Sequence, residues 1–196
     1  CVQPGAGFAR HRGQFAHRRE HSIEFQILWL AHLFPGEPHP AIVPILCTGL
    51  DDVMERGSTP PELPEVGDFL AALRATWQEE QRTVLVVAGS DLSHVGPRFG
   101  DAARLSPEFL EEVRRRDLAA VDGVRTGAAE RFFSEVAAHR NRDRICSVAG
   151  IYAALHTVAA SDGDLLDYAQ AADPNGNLAV TFAGVALYGP DSGPGL

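Results

Sequence analysis

Two short, nearly unbroken apolar runs, Ala41 to Leu46 (AIVPIL) and Thr83 to Ala88 (TVLVVA), stand between stretches whose apolar residues recur at helical spacing. A run this short, apolar at alternate positions of both parities, suits a strand covered on both faces, and so requires helices packed on either side of it. That confines the chain to the α/β class and predicts an αβα sandwich with a mixed central sheet. Pro44 fits the first run poorly, because a central strand loses a ladder hydrogen bond there.

The flanking segments supply the helices. From Ser22 to Phe34, Ile23, Ile27, Leu28, Leu30, Ala31 and Phe34 recur at helical spacing, with Ser22 as a cap and Pro35-Gly36 as the stop. The stretch 57–67, crowded with Pro, Gly and Glu, predicts a loop before a helix from about Asp68 to Glu80 that buries Phe69, Leu70, Leu73 and Trp77. Further helices are expected over Pro107 to Val121, with Pro107 in the first turn, Ala128 to Ala138, carrying Phe132, Phe133 and Val136, and about Val148 to Val158. Two closing strands, Leu165 to Ala171 and Leu178 to Leu187, flank the turn-forming Asp173-Pro174-Asn175-Gly176-Asn177 and suggest a hairpin. Residues 1–19 read as an irregular lead-in, 20–189 as one domain and 190–196 as a tail. With 196 residues, 45% of them hydrophobic, the chain is long enough to bury a sizeable core.

Charge limits the partners. A net charge of −9, with the acidic residues spread along the chain, argues against nucleic acid and anionic lipid. Basic residues gather at Arg10 to Arg19 and at Arg114 to Arg116, where solvated faces account for them. No apolar run approaches the roughly 20 residues of a membrane span and no signal-peptide pattern opens the chain, so a cytoplasmic location is expected. The three cysteines, at positions 1, 47 and 146, form no CxxC pair, which argues against a zinc knuckle and a disulfide scaffold. Cys47, beside an apolar run, reads as an inert core thiol.

Three clusters carry chemistry. In Glu20-His21-Ser22-Ile23-Glu24, His21 and Glu24 share a helical face, and the positive helix start keeps an imidazole available as a neutral acceptor or ligand. The same spacing also fits a plain capping box. Directly after the second apolar run comes Gly89-Ser90-Asp91-Leu92-Ser93-His94-Val95-Gly96, where Asp91 and His94 can form a carboxylate–imidazole pair that fixes the ring tautomer and moves protons. Ligand sites of open α/β sheets lie at such strand ends, although a Gly-flanked polar loop is also a common structural element. Arg144-Ile145-Cys146-Ser147 precedes an apolar helix whose dipole would favour a thiolate able to bind metal or attack a substrate, against the plain reading of a small core residue. The remaining histidines, at positions 11, 17, 32, 39, 139 and 156, show no ligand spacing among themselves.

Taken in order, EHSIEFQ, IVPILC, GSDLSHVG, the ICS before a helix, and DYAQAADPNGNLAVTFAGVALYG resemble the Memo family, also termed AmmeMemoRadiSam system protein B, from Glu20 to Gly189. The family shares a fold with class III extradiol dioxygenases, and the resemblance implies a site at strand ends of an αβα sandwich. His94 matches the histidine placed like the dioxygenases' acid/base, with Asp91 beside it. His21 matches a second pocket histidine, with Glu24 near it. Cys146 matches the family cysteine that stands where dioxygenases place a carboxylate ligand to iron. A thiolate in that place is softer and would accept copper or zinc as well as iron.

The family's two metal-binding histidines lie in upstream segments that read HAGY and PSH, and this chain contains neither. The resemblance therefore implies iron or copper in a complete protein and an incomplete metal site here, in either a fragment or a degenerate member without metal, and the non-methionine start favours the fragment. Three functions follow. One is a metal-dependent, redox-type enzyme for a small or aromatic substrate, with His94 moving protons, His21 orienting the substrate and Cys146 completing the metal site. A second is a cleft that binds a peptide or partner without chemistry. The third is a cysteine hydrolase with Cys146 as nucleophile and His94 as base, which needs the sulfur within hydrogen-bond reach of an imidazole.

Overall fold

The computed structural model describes residues 21–36, 39–47 and 49–189 of the chain. The expected lead-in and tail lie outside these residues. The elements in chain order are α1 (Ser22–Leu33), α2 (Asp51–Glu55), α3 (Pro64–Glu79), β1 (His94–Val95), α4 (Pro107–Arg125), α5 (Ala129–Ala138), α6 (Val148–Val158), β2 (Asp162–Ala172) and β3 (Ala179–Tyr188). Helices and a sheet combine as the α/β class requires. No described helix is long and apolar enough to cross a membrane.

The helix ends follow local chemistry. Ser106 caps α4, its hydroxyl accepting from the Phe109 N–H at 3.2 Å, and Pro107 occupies the first helical position, where a missing N–H costs nothing. Pro64 opens α3 in the same way, so the helix starts four residues before the expected Asp68. Within α3 the fully buried side chains are Val66 and Leu70; Phe69, Leu73 and Trp77 are half-buried. At α1 the expected Ser22 cap is not formed. His21 occupies the N-cap position without a side-chain hydrogen bond to the helix start, and Ser22 lies inside the first turn.

The core lies between α3, α4, α5, α6 and the sheet. Phe132, Phe133 and Val136 of α5 meet Val148, Tyr152 and Leu155 of α6, with Val53 of α2 and Val66 and Leu70 of α3 in the same apolar cluster. Phe133 and Tyr152 meet edge to face, with centroids 6.0 Å apart. Each fully buried side chain of this size contributes about 1.5–3 kcal/mol through water removed from its surface. Cys47 packs half-buried against this cluster, and burial pushes its thiol up, in keeping with an inert role.

The sheet is antiparallel, in the order β1-β3-β2. The β2–β3 hairpin pairs Tyr168 with Ala183 and Gln170 with Thr181, with an irregularity between Leu165 and Asp167. Asp173 ties its turn, accepting from the Asn177 N–H at 3.0 Å and the Asn177 amide at 2.9 Å, while Gly176 takes the left-handed conformation (φ 68°).

The two apolar runs that predict central strands are not strands here. Residues 41–46 and 83–88 run outside any ladder, and Val43 and Leu85 are 83% and 75% exposed. A strand is completed by neighbours that accept and donate its backbone hydrogen bonds, and none of the described residues supplies them. Helix α1 buries no side chain, so that Phe25, Leu28, Trp29 and Leu33 face solvent beside these runs. The described sheet is accordingly the hairpin plus one short strand.

Candidate functional site

The backbone of the loop Asp91–Val95 is held from two directions. The Leu92 N–H donates to the Thr181 carbonyl (2.8 Å), the Ser93 N–H to the Thr181 hydroxyl (2.8 Å), and the Thr181 N–H to the Ser93 carbonyl (3.0 Å), joining the loop to β3. The His94 N–H then donates to the Asp143 carbonyl at 2.7 Å, joining it to the turn between α5 and α6. Gly96 closes the loop at φ 108°, a conformation that excludes side chains, and a Cβ there would lie 2.5 Å from the Asn177 carbonyl oxygen.

This framework orients the His94 ring. Its Nδ1 lies 3.1 Å from both the Leu92 and Arg144 carbonyl oxygens. Both partners are acceptors only, so Nδ1 carries a proton and donates, which leaves Nε2 as the nitrogen whose protonation can change. Nε2 faces the Asp91 carboxylate at 3.7 Å, within ion-pairing distance but long for a hydrogen bond. Phe99 packs edge-on to the ring, with centroids 5.2 Å apart. The Asp91 carboxylate holds the His94 imidazole above the ordinary histidine range, with the two backbone carbonyls adding to the effect against partial burial. Reciprocally, His94 holds Asp91 below the ordinary aspartate range, helped by the charge of His21.

Of the residues expected from sequence, the structure sets Asp91 and His94 together with His21 near them, and shows no hydrogen bond or ion pair of Glu24 or Cys146 with these three. Asp91 and His94 face one another, and His21 at the start of α1 is close enough for its charge to bear on Asp91. The approach of α1 to this loop is also visible at Gly89, where a Cβ would meet the Gln26 side chain at 2.6 Å. Cys146 lies two residues beyond the carbonyl that holds the His94 ring, on the connection into α6. Glu24 sits in the first turn of α1 and is exposed.

The thiol of Cys146 is exposed, and its hydrogen-bonding neighbour is the Ser147 hydroxyl at 3.6 Å. The sulfur–imidazole hydrogen bond required by the hydrolase reading is not formed among the described residues. Nor does any group of three His, Cys, Asp or Glu side chains among them lie together as a metal ion needs. Among the described residues the donor set does not fit iron or copper, because Cys146 has no two companion ligands there.

Several supporting residues escape motif reading. Arg144, in the left-handed conformation (φ 59°), holds His94 from both sides. Its carbonyl accepts from the ring, while its guanidinium donates to the His94 carbonyl (3.1 Å) and to Asp101 (2.7 Å). Asp101 in turn accepts from the Gly96 N–H at 2.6 Å, which ties the far end of the loop to the same arginine. Arg116 forms a two-point ion pair with Asp143, at 2.5 and 3.0 Å. The expectation of a solvated basic face agrees with Arg114 and Arg115, which are exposed, Arg114 also stacking on the Tyr168 ring at 5.6 Å, and is corrected for Arg116, whose side chain is 8% exposed because it neutralises a buried carboxylate.

Asp117 of α4 is buried beneath the loop. It accepts from the hydroxyls of Ser93 (2.6 Å), Thr181 (2.6 Å) and Tyr168 (2.7 Å), and burial pushes its carboxyl above the ordinary range against the pull of these donors. Its trace in the sequence is a carboxylate on the apolar stripe of a helix, at four-residue spacing between Val113 and Val121. Thr181 and Tyr168 leave no such trace, since inward and outward positions of a hairpin are settled only by its packing.

The sequence matches the family model described as Memo-like protein over residues 7–185. Similar curated proteins include a MEMO1 family protein of Thermus thermophilus, 33% identical over 127 residues that cover 65% of this chain and 32% of that relative. MEMO1 family proteins of Aquifex aeolicus and Archaeoglobus fulgidus are 28% and 29% identical over 177 residues, covering 88% and 89% of this chain and 41% and 57% of theirs. The chain spans about a third to somewhat over half the length of these relatives. The family model takes in the His94 loop, the Cys146 turn and most of the closing hairpin together, and this chain belongs to the Memo-like protein family.

Proposed function

We propose that the chain carries the proton-transfer part of a Memo-like site, in which His94 takes a proton from, and returns it to, a small hydroxylated molecule, aromatic by analogy with the dioxygenase relatives of the family. The observation that carries this reading is the His94 ring itself: two carbonyls hold a proton on Nδ1, and Nε2 is left facing Asp91. Such a ring is pre-oriented, and only one of its nitrogens can exchange a proton with a ligand. Asp91 stabilises the imidazolium once the proton has arrived, and His21 adds a second polar group to the same corner. The redox chemistry of a metal-loaded family member enters no step here, because the described side chains do not form its ligand set.

The test uses 4-nitrocatechol, whose visible absorption reports loss of its phenolic proton. Bound to the protein, it should show the deprotonated spectrum at a pH below that at which the free compound ionises, and His94→Gln should abolish that difference. A bound spectrum identical in the two proteins would refute the proton-transfer role. The exposed apolar side chains of α1, next to His21, favour a second reading, recognition of a peptide or protein partner without chemistry. Under that reading partner binding survives His94→Gln and is lost with Trp29→Asp.

A further inference from the structure

We infer that Asp117 is a positioning residue for His94, acting through Ser93 and Thr181 to hold the loop in the one geometry that keeps the His94 ring aligned. The inference rests on the reading of His94 as the proton carrier. A buried carboxylate is an expensive way to fill space, and it is retained where its acceptor geometry is needed. Asp117 is 1% exposed, its donors are three neutral hydroxyls, and the charge that bears on it, the Asp143 carboxylate, has the same sign. Ionic pairing therefore does not explain its presence. The three hydroxyls come from the loop (Ser93), from β3 (Thr181) and from β2 (Tyr168), so one carboxylate on α4 gathers three separate pieces of chain at a point.

The consequences reach His94 through short links. Ser93 is the residue before His94, and all its polar atoms are engaged: its hydroxyl by Asp117, its N–H by the Thr181 hydroxyl and its carbonyl by the Thr181 N–H. The Thr181 hydroxyl accepts from the Ser93 N–H while donating its own proton to Asp117, which fixes its orientation toward Ser93. Removing the carboxylate frees both hydroxyls to turn and loosens the backbone on the N-terminal side of His94. The ring's contacts with the Leu92 and Arg144 carbonyls require that backbone to be still. Gln170 completes the cluster, donating to the Tyr168 hydroxyl at 2.9 Å and so orienting its proton toward Asp117.

The experiment compares the full chain with its Asp117→Asn, Ser93→Ala and doubly substituted variants, by amide hydrogen exchange and by the ring nitrogen signals of His94. In Asp117→Asn the Leu92 and His94 amides should exchange about tenfold faster, while the core amides of α5 keep their protection. The His94 nitrogens should move from the Nδ1-protonated signature toward a mixture of tautomers, a change that loss of stability alone does not produce. Adding Asp117→Asn to Ser93→Ala should loosen the loop by less than it loosens the wild type, because only the Thr181 link then remains to be lost. Wild-type signals at the loop and ring, or protection lost equally in α5 and the loop, would overturn the inference. Should Asp117→Asn fail to fold, Tyr168→Phe keeps two of the three donors and decides the matter, with about two- to fivefold faster exchange at the same two amides expected and unchanged exchange refuting. These readouts need no ligand, so a failed nitrocatechol test removes the proposed role of His94 and leaves the clamp, whereas a wild-type loop in both variants removes the clamp alone.

Discussion

Removing the Arg116 guanidinium should cost more stability than any other single change at the surface of α4. Its Nε and Nη2 donate to the two oxygens of Asp143 at 2.5 and 3.0 Å, and the two side chains are only 8% and 9% exposed. Arg116→Ala leaves the buried Asp143 carboxylate with only the exposed Arg142 guanidinium near it, at 3.9 Å, and should cost about 3 kcal/mol, the lower end for a broken buried pair. That is a fifth or more of the roughly 5–15 kcal/mol that holds a typical domain together. The second partner of Arg116, Glu112, is 49% exposed, so Glu112→Ala should change stability by about 0.5 kcal/mol or less. Urea unfolding at constant pH and salt measures both, with the midpoint read at unchanged slope. If the cost arises from a stranded charge, then Arg116→Met combined with Asp143→Leu should restore much of what Arg116→Ala loses. A loss below about 1 kcal/mol for Arg116→Ala, or a double variant as unstable as the single one, would refute the reasoning.

Three further outcomes are expected. The His94 titration followed by NMR should have its midpoint above about 6.5 and drop on Asp91→Asn; because His94 is raised and Asp91 lowered, their mutual stabilisation should be present between the two folded midpoints, fading as pH rises through that of His94 and as it falls through that of Asp91, and a midpoint insensitive to Asp91→Asn would contradict the pairing. Gly96→Ala should destabilise by about 1–3 kcal/mol or more, since φ is 108° and the new Cβ meets a backbone oxygen at 2.5 Å, and an unchanged thermal midpoint would show that the loop can relax. In a Cys1→Ser background, one thiol should react quickly with a disulfide reagent and one slowly, and Cys146→Ser should remove the fast phase, because Cys146 is exposed while Cys47 is half-buried with its thiol pushed up; equal rates would contradict this.

Local chemistry in the amino-acid sequence determined much of this protein. The Ser106 cap, Pro107 and the Asp-Pro-Asn-Gly-Asn turn act within a few residues, which is why α4 and the β2–β3 hairpin follow the pattern so closely, while apolar residues at helical spacing mark α5 and α6. The motif SDLSH likewise marks the loop in which Asp91 and His94 meet, because residues three apart in a tight turn cannot separate far. Apolar content alone could not decide whether residues 41–46 and 83–88 become strands, since that depends on partners to which the runs themselves make no reference. The supporting contacts were equally out of reach. Arg144 reaches His94 across 50 positions and Asp117 reaches Thr181 across 64, and only the packing of α4, the hairpin and the turn before α6 brings those atoms within hydrogen-bonding distance.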